Sequence, residues 1–240
     1  MPDTAQPPEI ARLRAEIDAL DDTLHETLMR RAEVVARLAA SRAKGAGPAL
    51  RPGREAAILR RLLERHAGPL PRAALVRIWR ELLAATTAMQ APLPVAACLD
   101  EGGMEVLRAH LGLATPVARM TDAEAAMAAA ARGAAALAAL PPGRWWRSLD
   151  PARLHVSARL PVFGEGATVF LLSAAPPDPS GEDRSLVRLH DEPPAGFRAV
   201  SLKSDDGLVL AELEGFVAAG DPRLPPGAEV LGAYALPLPS

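Results

Sequence analysis

From Pro8 to about Lys44, apolar residues recur three and four positions apart: Ile10, Leu13, Ile17, Leu20, Leu24, Leu28, Val34, Val35 and Leu38. That spacing predicts one long amphipathic helix. Gly45-Ala46-Gly47-Pro48 would end it. A second helix is expected from Pro52, a good first helical residue, to about His66, with Ile58, Leu59, Leu62 and Leu63 as its stripe. Gly68-Pro69 breaks it. A third is expected from Pro71 to about Gln90, with Leu75, Ile78, Trp79, Leu82 and Leu83 inward. Ala91-Pro92-Leu93-Pro94 reads as a linker.

Beyond the linker the period changes. Val95–Leu99 is a short apolar run, followed by a helical pattern up to Gly112. Val117–Met120 suits a strand. Thr121 is expected to cap a helix over Asp122–Arg132, with Glu124 as its capping-box partner. Ala134–Leu140, Leu154–Leu160 and Thr168–Ser173 read as strands, and the alternation suggests a small α/β unit. The Pro/Gly/Asp/Ser segment Pro176–Asp183 separates a last piece. There Leu186–Leu189, a possible helix near Phe197–Leu202, then Leu208–Leu213 and Val230–Tyr234 are expected. The pattern contains no internal repeat.

Composition narrows the class. With 240 residues, 49% hydrophobic and 23% charged, the chain suits one or two folded domains. Aromatic residues are only 3%, so the core must be built from Ala, Leu and Val. The single Cys98 excludes a disulfide scaffold and a Cys-rich zinc site. The expected partners include no membrane, because apolar runs are too short for a span, and no secretory signal is legible at the start. A cytoplasmic enzyme or binding protein is the expectation. Residues 1–92 carry 15 Lys/Arg against 11 Asp/Glu, a net +4, and residues 93–240 a net -6. The asymmetry supports two modules. Without a basic run it does not argue for nucleic acid, but it suits a small anionic ligand.

The informative chemistry is polar residues inside apolar stripes. In the frame Ile10, Ile17, Leu24, Arg31, Leu38, an arginine takes a seam position. Arg42 lies eleven residues on, about 20° round the helix. Glu55 precedes Leu59 by four and Leu62 by seven, so it shares the second stripe. Thr86 and Gln90 continue the third. A buried unpaired arginine costs several kcal/mol, so Arg31 needs a partner. A lone seam arginine is more often a register device or a snorkelling side chain. Five polar residues on three inward faces shift the balance toward a site for a small dicarboxylate. The long helix spans about 52 Å, and the other two at most about 30 Å each, so they cannot cover its stripe. A symmetric dimer of crossing long helices would cover it, and Arg14 would then reach the partner's pocket.

The runs LRAEIDALDDTLHETLMRRAEVVARLAASRA, RPGREAAIL and IWRELLAATTAMQ, over about residues 9–91, resemble the all-helical class of chorismate mutases. The resemblance implies a three-helix protomer in an intertwined homodimer, acting on chorismate to give prephenate, with no cofactor and no metal. It implies that Arg14 of the partner subunit and Arg31 hold the two substrate carboxylates, assisted by Thr86. Arg42 stands where the family usually has a lysine against the ether oxygen, with Gln90 as companion donor. Glu55 would accept the ring hydroxyl. Arg51 falls where members have aspartate or arginine, and Arg54 keeps the motif. Arg42 is the main departure, because its planar head is not interchangeable with an ammonium. Lys44 could stand in only if the helix loosens before Gly45. The five histidines read as surface or loop residues.

Residues 93–240 are more distantly similar to the later parts of bifunctional chorismate mutase/prephenate dehydratases. Asp100-Glu101-Gly102-Gly103 sits where the dehydratase has a Gly-Pro-Glu-Gly-Thr turn, and Thr168-Val169-Phe170 where it has Thr-Arg-Phe. The arginine is absent. The Asn-Ser motif expected after Leu140 is replaced by Pro-Pro-Gly-Arg-Trp-Trp. Residues from about 183 resemble part of an ACT domain. The expected fold class is therefore α plus α/β: a mutase domain over 1–92, then a reduced, degenerate dehydratase-like region over 93–240 with a partial ACT-like tail. The leading expectation is a chorismate mutase of aromatic amino-acid biosynthesis. Isochorismate-pyruvate lyase chemistry, a bifunctional mutase/dehydratase and a non-catalytic sensor of an aromatic metabolite stay open.

Overall fold

In the computed structural model, residues 8–42 and 49–239 are described, with only the backbone of Arg42. Lys44 and the stop expected at Gly45–Pro48 lie outside them. The chain divides into two compact units, Met1–Gly47 and Pro48–Ser240.

The first unit is one helix, α1 (Pro8–Arg42), of 35 residues. Along its seam Ile10, Leu13, Ile17, Leu20, Leu24 and Leu38 are 42–63% exposed, while Leu28, Arg31 and Val35 are half-buried. A helix of this length would span about 52 Å, and its exposed apolar residues fall mostly in the N-terminal half.

The second unit begins with α2 (Pro52–Glu64) and α3 (Arg72–Ala88), close to their expected bounds. It continues through β1 (Val95–Ala97), α4 (Glu101–Leu111), β2 (Val117–Arg119), α5 (Ala123–Ala131), β3 (Leu137–Leu140), a 3-10 turn at Trp145–Arg147, β4 (His155–Leu160), β5 (Val169–Ser173), β6 (Asp183–Leu189), β7 (Ala199–Asp205), β8 (Leu208–Glu214) and β9 (Glu229–Ala235). The nine strands form one mixed sheet, ordered β2-β1-β3-β5-β4-β9-β6-β8-β7. β1 is parallel to both β2 and β3, as helical crossovers require, and β4 is parallel to β9. The remaining pairs are antiparallel. The C-terminal region is therefore a large sheet rather than a small α/β unit. Among the described residues from Asp183 onward it carries strands without a helix.

α4 packs Met104, Leu107 and Leu111 on one face of the sheet, against Leu137, Ala158, Val169 and Leu171. α5 covers the other face together with Trp145 and Trp146, over Ala138, Val156, Leu172 and Leu231. α2 and α3 share a third cluster, in which Leu59, Leu63, Leu75 and Val76 meet Leu238 from the far end of the chain. The compact unit thus runs across the boundary expected at 92–93. The stretch read as a linker feeds the sheet, since the Pro94 carbonyl accepts from Ala136 N at 2.7 Å.

Three local expectations are corrected. The segment near Phe197–Leu202 is strand, not helix. β7 and β8 form a hairpin whose two-residue turn, Asp206-Gly207, has both φ angles positive, at 47° and 76°. Asp-Gly suits such a turn because it adopts left-handed backbone at little cost. The cap of α5 is Asp122, not Thr121: Asp122 Oδ1 accepts from Ala125 N at 2.7 Å, while Thr121 Oγ1 donates to Asp122 Oδ2. This places Glu124 one residue too early for a capping box. His110 is buried in α4 rather than at the surface.

Candidate functional site

Arg14, Arg31 and Arg42 all lie on α1. Arg14 is exposed, Arg31 is half-buried, and Arg42 is the last helical residue. Burial lowers the Arg31 guanidinium below its ordinary value, the direction that desolvation of a cation requires.

The other candidates belong to the second unit. Arg51 precedes Pro52, and its Nη2 pairs with Asp178 Oδ2 at 3.0 Å. Gly53 is buried because the first turn of α2 lies on the backbone of 178–179; a Cβ there would stand 2.2 Å from the Asp178 carbonyl oxygen. Arg60, two turns on, donates to the Ser180 carbonyl at 2.8 Å. The Pro176–Asp183 segment, expected to separate modules, is thus the seat on which α2 rests. Arg54 points outward and is exposed.

Glu55 is buried in the first turn of α2, where the helix N-terminus favours a carboxylate. Its Oε2 accepts from Arg80 Nη1 at 2.8 Å, and the two side chains are 8% and 6% exposed. Arg80 also donates from Nε and Nη2 to the His110 carbonyl, at 3.1 and 2.6 Å. At the end of α3, Thr86 is buried and its Oγ1 donates to the Leu82 carbonyl at 2.7 Å. Gln90 lies one turn on, its Nε2 donating to the Thr86 carbonyl at 3.0 Å. The structure therefore brings Glu55 to Arg80, Thr86 to Gln90, and Arg51 to Asp178.

Arg80 is missing from the sequence-derived set, yet its signal was there. It lies four residues after Val76 and three before Leu83, both buried. It is thus an arginine on an inward face, by the same reasoning that singles out Arg31. Behind it the His110 imidazole is fully buried, with no hydrogen bond to Nε2 among the described residues. Burial first, and the Arg80 charge second, push it well below the ordinary histidine value. It is neutral at physiological pH.

Among the described residues no group of three or more His, Cys, Asp or Glu side chains could hold a metal ion. Nor is any helix long and apolar enough to cross a membrane.

Residues 13–91 match the family model of chorismate mutase type II. A bifunctional chorismate mutase/prephenate dehydratase of Pseudomonas aeruginosa is 32% identical over 133 residues, covering 51% of this chain and 36% of that protein. One of the same description from Neisseria gonorrhoeae is 36% identical over 83 residues, 35% of this chain and 22% of that protein. A 4-amino-4-deoxychorismate mutase of Streptomyces venezuelae is 46% identical over 46 residues, 19% of this chain and 45% of that protein. A solved structure described as a novel type of quorum quenching acylase overlays 59% of this chain and 94% of its own, at TM-score 0.45 and 19% identity. The chain spans about a third or less of the length of the two bifunctional enzymes it matches. The match to the chorismate mutase type II family thus lies in the N-terminal part of the chain, and Arg14, Arg31, Arg42, Glu55, Thr86 and Gln90 all fall inside the matched span.

Proposed function

We propose that the protein is a chorismate mutase, converting chorismate to prephenate in the biosynthesis of aromatic amino acids. The observation that carries this is the family match over residues 13–91, within which the cations, the carboxylate and the amide stand at the spacing that drew attention to them. The reaction breaks one C–O bond and forms one C–C bond within a single molecule. It needs no nucleophile, redox partner or net proton transfer. A catalyst must hold the compact reactive conformer and stabilise the charge that grows on the ether oxygen. Arginines and an amide do both.

In this reading Arg31 and Arg14 of a second copy hold the substrate carboxylates, with Thr86 assisting. Arg42 and Gln90 face the ether oxygen, and Glu55 accepts from the ring hydroxyl. Arg51 and Arg54 flank the substrate end of α2. The second copy is supported by the exposed apolar residues Ile10, Leu13, Ile17, Leu20 and Leu24 of α1, since an apolar patch is costly to leave in water.

Dehydratase activity is not part of the proposal. Val169, at the place of the absent motif arginine, is fully buried among apolar side chains under α4. Incubation of the pure protein with chorismate, followed by NMR, tests both points. Prephenate should accumulate and persist. Phenylpyruvate appearing in step would restore the bifunctional reading, and unchanged chorismate would refute the proposal.

A further inference from the structure

Arg80 joins two parts of the chain that the sequence reading keeps apart. One end of its guanidinium holds Glu55, on the second helix of the mutase domain. The other two donors close on the carbonyl of His110, at the end of α4. That carbonyl is among the last four of its helix, which have no partner within the helix and carry its partial negative charge. α4 is in turn fixed to the sheet through Leu107 and Leu111. A chain of direct contacts therefore runs from the sheet through α4 and Arg80 to Glu55.

We propose that Arg80 is the positioning residue for Glu55, and that α4 and the sheet contribute to the mutase reaction by holding Arg80 in place. The inference rests on the role given to Glu55 above. The physical argument has two parts. Without the guanidinium nothing fixes the direction of Glu55 Oε2, now set by the 2.8 Å bond from Arg80 Nη1, and the carboxylate loses the orientation in which it would accept from the ring hydroxyl. The planar fork of arginine can also hold a carboxylate and a carbonyl at once in fixed directions, which a lysine ammonium on a flexible stem cannot do as well. Arg80 touches no reacting atom in this scheme. It acts through Glu55.

The test uses the full chain and its variants Arg80→Met, Arg80→Lys, Glu55→Gln and Glu55→Gln/Arg80→Met. Each is checked for folding by circular dichroism. kcat and KM for chorismate are then measured at neutral pH. Arg80→Met should lower kcat by at least about tenfold and change KM little. Arg80→Lys should fall between it and the unmodified protein. In the Glu55→Gln background, Arg80→Met should cost less than about threefold more. If Arg80→Met does not fold, Arg80→Lys carries the same comparison. Unchanged kinetics in the Arg80 variants, or an equal loss with and without Glu55, would overturn the proposal and make Arg80 merely structural. An unmodified protein inactive on chorismate would overturn the reading of the site, and this inference with it.

Discussion

Substituting Gly53 by alanine tests whether the first turn of α2 is held by the 178–179 backbone. Helix propensity alone favours the change, by up to about 1 kcal/mol. The packing opposes it. The new Cβ would lie 2.2 Å from the Asp178 carbonyl oxygen and 3.1 Å from its carbon. Non-bonded carbon–oxygen pairs keep more than about 3 Å apart, so the helix or the segment must move by nearly 1 Å. Neither yields easily, because the Arg51–Asp178 pair and the Arg60–Ser180 bond tie them together on both sides of the contact. Overpacking of this kind costs about 1–3 kcal/mol. For a unit of this size that lowers Tm by roughly 3–10 °C. Gly102, in the first turn of α4, is the internal control. A Cβ there meets nothing closer than 3.7 Å, so Gly102→Ala should be neutral or stabilising, by up to about 1 kcal/mol. The assay is paired thermal and urea unfolding of both variants. A Gly53→Ala protein at least as stable as the unmodified one would refute the reasoning. Because Glu55 is two residues away, the same variant should also lose mutase activity while Gly102→Ala keeps it.

Other expectations follow from single features. His110 is held well below its ordinary value by burial, so the folded state declines a proton that the unfolded chain takes up below about pH 6.5. Stability should be full above that pH and fall as pH drops through it, with half-buried His155 adding in the same direction; urea titrations from pH 4.5 to 8 should show the slope, and His110→Gln should flatten it. Charging the α1 seam with Leu20→Lys and Leu24→Lys should convert a dimer to monomer in analytical ultracentrifugation and abolish turnover; a dimeric double variant would rule the seam out as the interface. Arg31→Ala should remove mutase activity while leaving the circular dichroism spectrum and the oligomeric state unchanged; an unfolded variant would make Arg31 structural. Asp122→Ala should destabilise the protein through loss of the α5 cap, and more than Thr121→Ala does, as read by chemical denaturation.

The helices were legible because each is long enough for the apolar period to repeat several times. α2 and α3 end within two residues of where Gly-Pro and the final stripe residues place them. What the period could not decide is which apolar side of α3 faces inward. The expected stripe passes through Ile78, which is 53% exposed, whereas the buried line is Leu75, Val76, Arg80, Leu83, Thr86 and Thr87. α3 carries apolar residues on more than one side, and only the position of its neighbours selects among them. The rotation is small, but it removes Ile78 from the core and brings in Arg80.

The same limit explains the site. A search for polar residues inside stripes finds Glu55 because the α2 stripe was drawn correctly, and Thr86 because it falls on both the expected and the buried line of α3. It misses Arg80 because that stripe was drawn one position round. Arg51 enters through the resemblance alone, and its partner Asp178 lies 127 residues away, in a segment whose Pro, Gly, Asp and Ser content reads as a spacer. Such content says that a segment lacks regular structure, not that it lacks partners: Ser180 and Asp183 fold it into a hydrogen-bonded turn that presents its backbone to α2. β7 failed for a related reason. Its residues are exposed on both faces at the edge of the sheet, so burial imposes no alternation there, and the informative signal was the Asp206-Gly207 turn that follows it. Short-range rules therefore reach those positions where one face of an element alone meets the core. The contacts that bind α2 and α3 to the rest of their unit, Arg80 with His110 and Arg51 with Asp178, depend on residues far apart in the chain, and those are the contacts that place these two helices in one compact unit with the sheet.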